Sequence, residues 1–205
     1  MDRQLKNLSI WIFSFTLITA LSADEPSWLR YPAISPDGQE IIFSYMGDLY
    51  KVPSGGGNAY PLTRHKAHDF MPVWSPEGTR IVFASDRFGN YDIFSMTANG
   101  GKPDRLTFHS SNDFPSSWHP DGNSVLFSSS RMDTDLSTLF PSSRMTELYS
   151  ALLDGSLPVQ LLTSPAEHAV YDKKGKEIFY HDRNGLENIW RKHHTSSDTR
   201  DIWKY

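Results

Sequence analysis

Cysteine is absent from this chain of 205 residues. That excludes disulfides and thiolate metal centres, and it leaves cysteine usage silent on redox compartment. Charge is sparse and nearly balanced, with 21% charged residues and a net of −4. There is no basic stripe, so nucleic acid is not an expected partner. No Gly-x-Ser-x-Gly segment occurs, which removes a hydrolase nucleophile of the elbow type. Two glycine-rich stretches, Gly55-Gly56-Gly57 and Asn99-Gly100-Gly101-Lys102-Pro103, lack the Gly-Lys-Ser/Thr ending of a phosphate loop and read as hairpin turns. No cofactor is implied.

Long hydrophobic runs are missing except for one. Leu8 to Leu21 is apolar apart from Ser and Thr, and it follows Arg3 and Lys6. Ala20-Leu21-Ser22-Ala23 supplies small residues before the polar Asp24-Glu25-Pro26. A basic start, a short apolar stretch and small residues are the order of a secretory signal peptide. The run is short for a membrane-spanning helix, which needs ~20 apolar residues. Residues 1–23 are therefore expected to be a signal peptide cleaved near Ala23, and the protein to be exported, periplasmic or secreted.

What the chain does have is a repeat. Ser35-Pro36-Asp37-Gly38, Ser75-Pro76-Glu77-Gly78, His119-Pro120-Asp121-Gly122 and Asp172-Lys173-Lys174-Gly175 each precede a β-type run. Those runs are Ile41-Ile42-Phe43, Ile81-Val82-Phe83, Val125-Leu126-Phe127 and Ile178-Phe179-Tyr180. Two further landmarks follow in fixed order. One is Asp48-Leu49-Tyr50, Asp92-Ile93-Phe94 and Glu147-Leu148-Tyr149. The other is Leu62-Thr63, Leu106-Thr107 and Leu162-Thr163. A period near 40 residues signals stacked equivalent units. The last spacing is longer because a loop near Met132 to Thr146 carries an insertion.

Each unit reads as four strands. In the second these are Met71 to Trp74, Arg80 to Ala84, Tyr91 to Thr97, and a short strand ending at Arg105-Leu106-Thr107. Pro with Asp-Gly or Glu-Gly makes the first turn, and Asn99-Gly100-Gly101 makes the second. Four antiparallel strands repeated at this period predict an all-β fold, a β-propeller of four-stranded antiparallel blades. Residues 24–205 hold about four blades, near 28–63, 70–107, 114–163 and 168–205, and the propeller is incomplete in this chain. Asn188-Ile189-Trp190 or Asp201-Ile202-Trp203 is expected as the third strand of the last. Trp74, Phe83, Trp118 and Phe127 take matching places and are expected between blades, since a large aromatic removes about 150–250 Å² from water.

The repeat resembles the TolB-like propeller. Longer stretches resemble the N-terminal propeller of Tricorn-type serine proteases, of exported bacterial type: Ser44-Tyr45-Met46-Gly47-Asp48-Leu49-Tyr50, Ser85-Asp86-Arg87-Phe88-Gly89-Asn90-Tyr91-Asp92-Ile93, and Leu106-Thr107-Phe108-His109-Ser110-Ser111-Asn112-Asp113. The tail Trp190 to Ser197 with Arg200-Asp201-Ile202-Trp203 is similar to exported members. The resemblance implies a gate or peptide-binding scaffold for proteolysis performed by downstream PDZ-like and peptidase domains of the parent, itself a possible homo-oligomer. It places no catalytic residue in this chain. A TolB-like protein-binding propeller without enzymatic activity is the alternative, and a propeller of a dipeptidyl-peptidase-like hydrolase is a third reading.

Metal ligands are not fixed by spacing. His65 with His68, and His193-His194, lack a third partner. Asp133-Thr134-Asp135 opens like a calcium loop but has Thr138 and Arg144 where Gly and an acid belong. In a propeller, loops from strand four to the next strand one share a face with loops from strand two to strand three. Arg64, His65, His68, Asp69, His109, Asn112 and Asp113 fall in the first kind, and Asp86, Arg87 and Arg131 in the second. Arg64, His65, Asp86, Arg87, His109, Asp113 and Arg131 are thus expected on one rim, where they are candidates for peptide contact. The structural counter-reading has Asp86 and Arg87 bridging adjacent blades and His109 and Asp113 capping a crossing.

Overall fold

The computed structural model describes residues 28–131, 146–182 and 202–205. The signal-peptide segment, most of the insertion, Asn188 to Trp190 and His193-His194 lie outside the described residues. Among the described residues there is no helix. The first blade is β1 (Arg30–Ile34), β2 (Glu40–Tyr45), β3 (Asp48–Pro53) and β4 (Tyr60–Pro61). The second is β5 (Asp69–Trp74), β6 (Arg80–Ser85), β7 (Asp92–Thr97) and β8 (Asp104–Arg105). The third is β9 (Asp113–Trp118), β10 (Ser124–Ser129), β11 (Glu147–Leu152) and β12 (Val159–Leu162). The fourth comprises β13 (Glu167–Tyr171), β14 (Ile178–His181) and β15 (Ile202–Lys204). In every sheet the strands lie in chain order and pair antiparallel.

The recurring phrase builds one turn four times. Ser75 N donates to Arg80 O at 2.9 Å, and Gly78 N donates to Ser75 O at 3.0 Å. The Ser75 hydroxyl accepts from Arg80 N at 3.0 Å, as Ser35 does from Glu40 N at 2.9 Å. Asp172 replaces the serine in the last unit and accepts from Glu177 N at 3.1 Å. Gly78 sits at φ +73°, a conformation that a side chain resists.

The Leu-Thr landmark has an equally local cause. The outer strand is two residues long in the first two blades, so the ladder runs out. Thr63 Oγ1 then accepts from Leu49 N at 3.0 Å, and Thr107 Oγ1 from Ile93 N at 2.9 Å. A hydroxyl takes over where the backbone partner is missing.

Blades pack face to face. Ile42 and Leu49 of the first blade meet Trp74, Ile81, Phe83 and Phe94 of the second. Val82 and Ile93 of the second meet Trp118, Val125, Phe127 and Tyr149 of the third. Leu126 and Leu148 of the third meet Ala169 and Ile178 of the fourth. Trp74, Phe83, Trp118 and Phe127 are all buried here, as their places in the repeat required. The innermost strands follow one another around the axis: β1 meets β5, β5 meets β9, and β9 meets β13, while β13 and β1 do not touch. Among the described residues, the two terminal blades therefore each present one uncovered face.

A bulge interrupts all four inner strands, between Arg30 and Ala33, Phe70 and Val73, Pro115 and Ser117, and Glu167 and Val170. Tyr31, Met71 and His168 adopt φ of 51°, 52° and 51° at three of these bulges. A bulge re-aims side chains that strict alternation would have sent elsewhere. Here it turns them towards the axis.

Candidate binding site at the propeller axis

Hydrogen bonds join three of the loops in the first three blades. His68 N donates to Asp86 Oδ1 at 2.7 Å, and His68 Nδ1 lies 3.2 Å from the Tyr91 hydroxyl. Asn90 Nδ2 donates to the carbonyls of His109 at 2.9 Å and Ser111 at 3.0 Å. Tyr91 N donates to Asn112 Oδ1 at 3.0 Å. Loops β4–β5, β6–β7 and β8–β9 are thereby tied together.

Most of the charged rim residues are committed within the fold. Asp69 is fully buried and accepts from Arg87 Nη2 at 2.6 Å. Asp113 is fully buried and accepts two bonds from Arg131, at 2.5 and 3.2 Å. Each arginine also lies over its own blade's aromatic pair. The Arg87 guanidinium is 5.9 Å from the Phe83 ring and 5.6 Å from Phe94; that of Arg131 is 4.9 Å from Phe127 and 5.4 Å from Tyr149. The arginine thus clamps the start of the inner strand to the hairpin of the same blade. The expected bridge between neighbouring blades is not what Arg87 makes, because its partner Asp69 belongs to its own sheet. His109 does cap the crossing, with Nδ1 accepting from Ser111 N at 3.0 Å. Arg64 and His65 are exposed, although His65 Nδ1 accepts from Ala67 N at 3.0 Å.

At the centre of this rim lies a cavity of about 460 Å³. All four inner strands contribute to it. One wall is aromatic: Tyr31 from β1, Phe70 from β5, Tyr91 from the β6–β7 loop, and Phe114 from β9. Phe70 is their hub, with ring centroids 5.3 Å from Tyr31, 4.9 Å from Tyr91 and 6.0 Å from Phe114. The rest of the lining is mainly polar: Asn112, Ser116, Ser128, Ser130, Thr146, Glu167 and His168, with Met71. Burial, with smaller contributions from Asp86 and Tyr31, pushes the Tyr91 phenol upward, so it remains a hydroxyl donor at neutral pH. Ser128 Oγ is held by donation to Ala166 O at 3.0 Å. A lining that combines an aromatic cluster with polar side chains suits an amphipathic guest.

Sequence reasoning missed this pocket. Of the polar loop residues singled out from the sequence, Asn112 alone is part of its lining. The signal that was available is the repeat itself: Tyr31, Met71 and His168 occupy equivalent positions, each the residue at which pairing slips.

The model of the Tricorn protease N-terminal β-propeller domain matches residues 26–205. The chain belongs to this family. Solved structures agree on the architecture of the Tricorn-type propeller. A putative TolB from Agrobacterium tumefaciens matches with a TM-score of 0.69 at 19% identity, covering 88% of this chain and 58% of that one. The tricorn protease matches with a TM-score of 0.67 at 24% identity, covering 88% of this chain and 17% of that one. TolB from Acinetobacter baumannii matches with a TM-score of 0.62 at 18% identity, covering 85% and 40%. This Tricorn-type propeller therefore spans less than two thirds of each of these chains, and at such identities the likeness is one of fold.

Proposed function

We propose that this propeller belongs to an exported Tricorn-like serine peptidase and holds or admits peptides at its axis, with cleavage performed by peptidase and PDZ-like regions of the parent. The observation that carries this reading is the axial pocket, where inner strands of four blades combine an aromatic cluster with polar side chains. Family membership supports the peptidase parent, and the basic–apolar–small order of residues 1–23 supports export. Arg64 and His65, exposed on the same rim, extend the contact surface, whereas Arg87, Arg131, Asp69 and Asp113 keep it in shape.

The test is kinetic and uses the full-length parent. Phe70→Ala and Tyr91→Ala should raise KM for peptides long enough to reach the pocket and leave kcat/KM for a short chromogenic substrate unchanged. Equal losses on both substrates, or none on either, would remove the pocket from peptide handling. Arg64→Glu with His65→Glu tests the rim in the same assay.

The likeness to TolB structures favours a second reading, a propeller that binds another protein and has no peptidase region. The coding sequence downstream of Tyr205 discriminates. A PDZ-like segment and a peptidase region support the first reading, and a stop soon after the blades are complete supports the second. A Gly-x-Ser-x-Gly elbow there would instead point to a dipeptidyl-peptidase-like hydrolase.

A further inference from the structure

Three side chains of ligating type converge on the fourth blade although nothing in their sequence spacing groups them. Glu167 and His168 are consecutive on β13, and His181 ends β14. A ligand atom from each lies within 4.8 Å of the others, and the two imidazole centroids are 4.9 Å apart. Consecutive side chains on a regular strand project to opposite faces. The bulge between Glu167 and Val170 breaks that rule. His168 takes φ 51°, and both residues converge on His181, the register partner of Glu167.

The repeat provides an internal comparison. The same three positions are Arg30, Tyr31 and Ser44 in the first blade and Phe70, Met71 and Ala84 in the second. Neither of those sets can hold a metal ion. The bulge and the register alone therefore do not call for two imidazoles and a carboxylate, and the fourth blade departs from its own pattern at all three places. Thr146 Oγ1 also donates to Glu167 Oε1 at 3.1 Å, the kind of outer support that orients a ligating carboxylate.

We infer that Glu167, His168 and His181 form a binding site for a divalent transition-metal ion of the zinc class. Two imidazoles with one carboxylate suit zinc, whereas calcium and magnesium want oxygen ligands alone. Donors around a tetrahedral zinc stand about 3.3 Å apart, so the three ligand atoms, within 4.8 Å of one another, draw together on binding the ion. Three protein ligands leave a fourth position for water or a guest. Glu167 and His168 line the axial pocket, so an anionic group of a pocket guest, such as a peptide carboxylate, could take that position.

The test titrates the full chain with Zn²⁺ alone by calorimetry, beside X-ray absorption at the zinc edge on the unsubstituted protein. One Zn²⁺ per chain is expected, with two imidazoles and carboxylate oxygen in its shell. His168→Ala with His181→Ala should lose at least tenfold in affinity, and Glu167→Gln alone should also weaken binding. The pair His65→Ala/His68→Ala should leave it unchanged. Zn²⁺ should raise the melting temperature of the unsubstituted chain. A shell without imidazole, or affinity untouched in the His168/His181 variant, overturns the assignment. If that variant does not fold, the shell of the unsubstituted protein and the affinity of Glu167→Gln decide.

Discussion

The indole N–H of Trp118 donates to the carbonyl of Val73 across the blade boundary at 3.0 Å. Trp74 repeats the bond one blade earlier, to Ala33 O at 3.0 Å. Each tryptophan fills the inter-blade core and satisfies a carbonyl of the preceding inner strand. Trp118→Phe keeps much of the apolar area but orphans Val73 O, so it should cost roughly 1–3 kcal/mol. Trp118→Ala adds a cavity and should cost roughly 3–5 kcal/mol. Urea unfolding followed by circular dichroism measures both. Equal midpoints for the Phe variant and the parent would show the hydrogen bond to be dispensable.

The Asp113–Arg131 pair makes a second test, because it separates a structural rim from a binding one. Asp113 is fully buried and Arg131 nearly so. Removing one partner of such a pair leaves a buried charge uncompensated and costs roughly 3–5 kcal/mol. Arg131→Met should therefore destabilise strongly, and Arg131→Met with Asp113→Leu should recover part of the loss. The exposed Lys204–Glu177 pair belongs to a class worth about 0–1 kcal/mol, so Lys204→Met should barely move the midpoint. If Arg131→Met leaves stability intact, the arginine is free for ligand contact and the structural role assigned to it is wrong.

Asp92 should impose a pH dependence. Burial raises its carboxyl to about 6; Arg105, 2.7 Å away, opposes this, and the Asp113 charge adds to it. A carboxyl raised in the folded state holds its proton more tightly there than when unfolded. Its contribution is thus greatest below the ordinary value near 4 and is lost as pH rises through 6. The change over that window is on the order of 3 kcal/mol. Asp37, Asp121 and Asp172, held low mainly by hydrogen bonds in their turns, act in the opposite sense and only below about pH 4. Melting temperature should therefore fall between pH 4.5 and 6.5 in the parent and be flatter in Asp92→Asn. Equal slopes in the two proteins would refute the assignment.

The blades were legible in the sequence because their determinants are local. The Asp-Gly, Glu-Gly and Lys-Gly turns demand a residue at positive φ, and Gly38, Gly78, Gly122 and Gly175 all supply it. Strand alternation follows from which residues face a neighbouring sheet. Among the alternatives for the last blade's third strand, Ile202–Lys204 is present. The Asp–Arg clamps left a faint trace, since Asp69 to Arg87 and Asp113 to Arg131 span the same 18 positions. The ligand cluster left none, and the pocket only the equivalence of Tyr31, Met71 and His168 within the repeat. Both depend on bulges that break the two-residue alternation on which the reading of a strand rests, and the partners they bring together lie on separate strands.

The turn phrases touch one another, and this makes their glycines unequal. A β-carbon on Gly38 would meet nothing within 4 Å. One on Gly175 would lie 2.4 Å from Nε2 of His119, the residue that opens the preceding phrase. Both glycines have positive φ, so alanine is strained at either. Gly38→Ala should cost roughly 1 kcal/mol, and Gly175→Ala clearly more, because the His119 ring must also move from its 4.7 Å contact with Tyr171. His119→Ser restores the residue found in the first two phrases and removes the clash. The double variant should therefore be more stable than Gly175→Ala alone, as read by thermal melting. Additive losses would mean that the two turns do not bear on each other.

The uncovered faces of the end blades are built from positions that are buried elsewhere. Ile34, 62% exposed, stands where Trp74 and Trp118 stand in the next two blades, and Phe43 and Tyr50 form the stacked pair that Phe83 and Phe94 form inside the core. On the fourth blade, Ile202 is 82% exposed at the position of the fully buried Leu49, Ile93 and Leu148, with Val170 and Phe179 beside it. One end thus carries the tryptophan-type face and the other the face that receives it. Two copies can satisfy these faces only head to tail, and a heterologous contact of that kind does not stop at a dimer unless it closes a ring. Residues 24–205 expressed alone should therefore self-associate in a concentration-dependent way, measurable by sedimentation velocity. Ile34→Lys with Phe43→Glu should suppress the association without lowering the melting temperature, because neither side chain is in the core. A monodisperse monomer at high concentration, or association indifferent to these substitutions, would show that the end faces do not drive it.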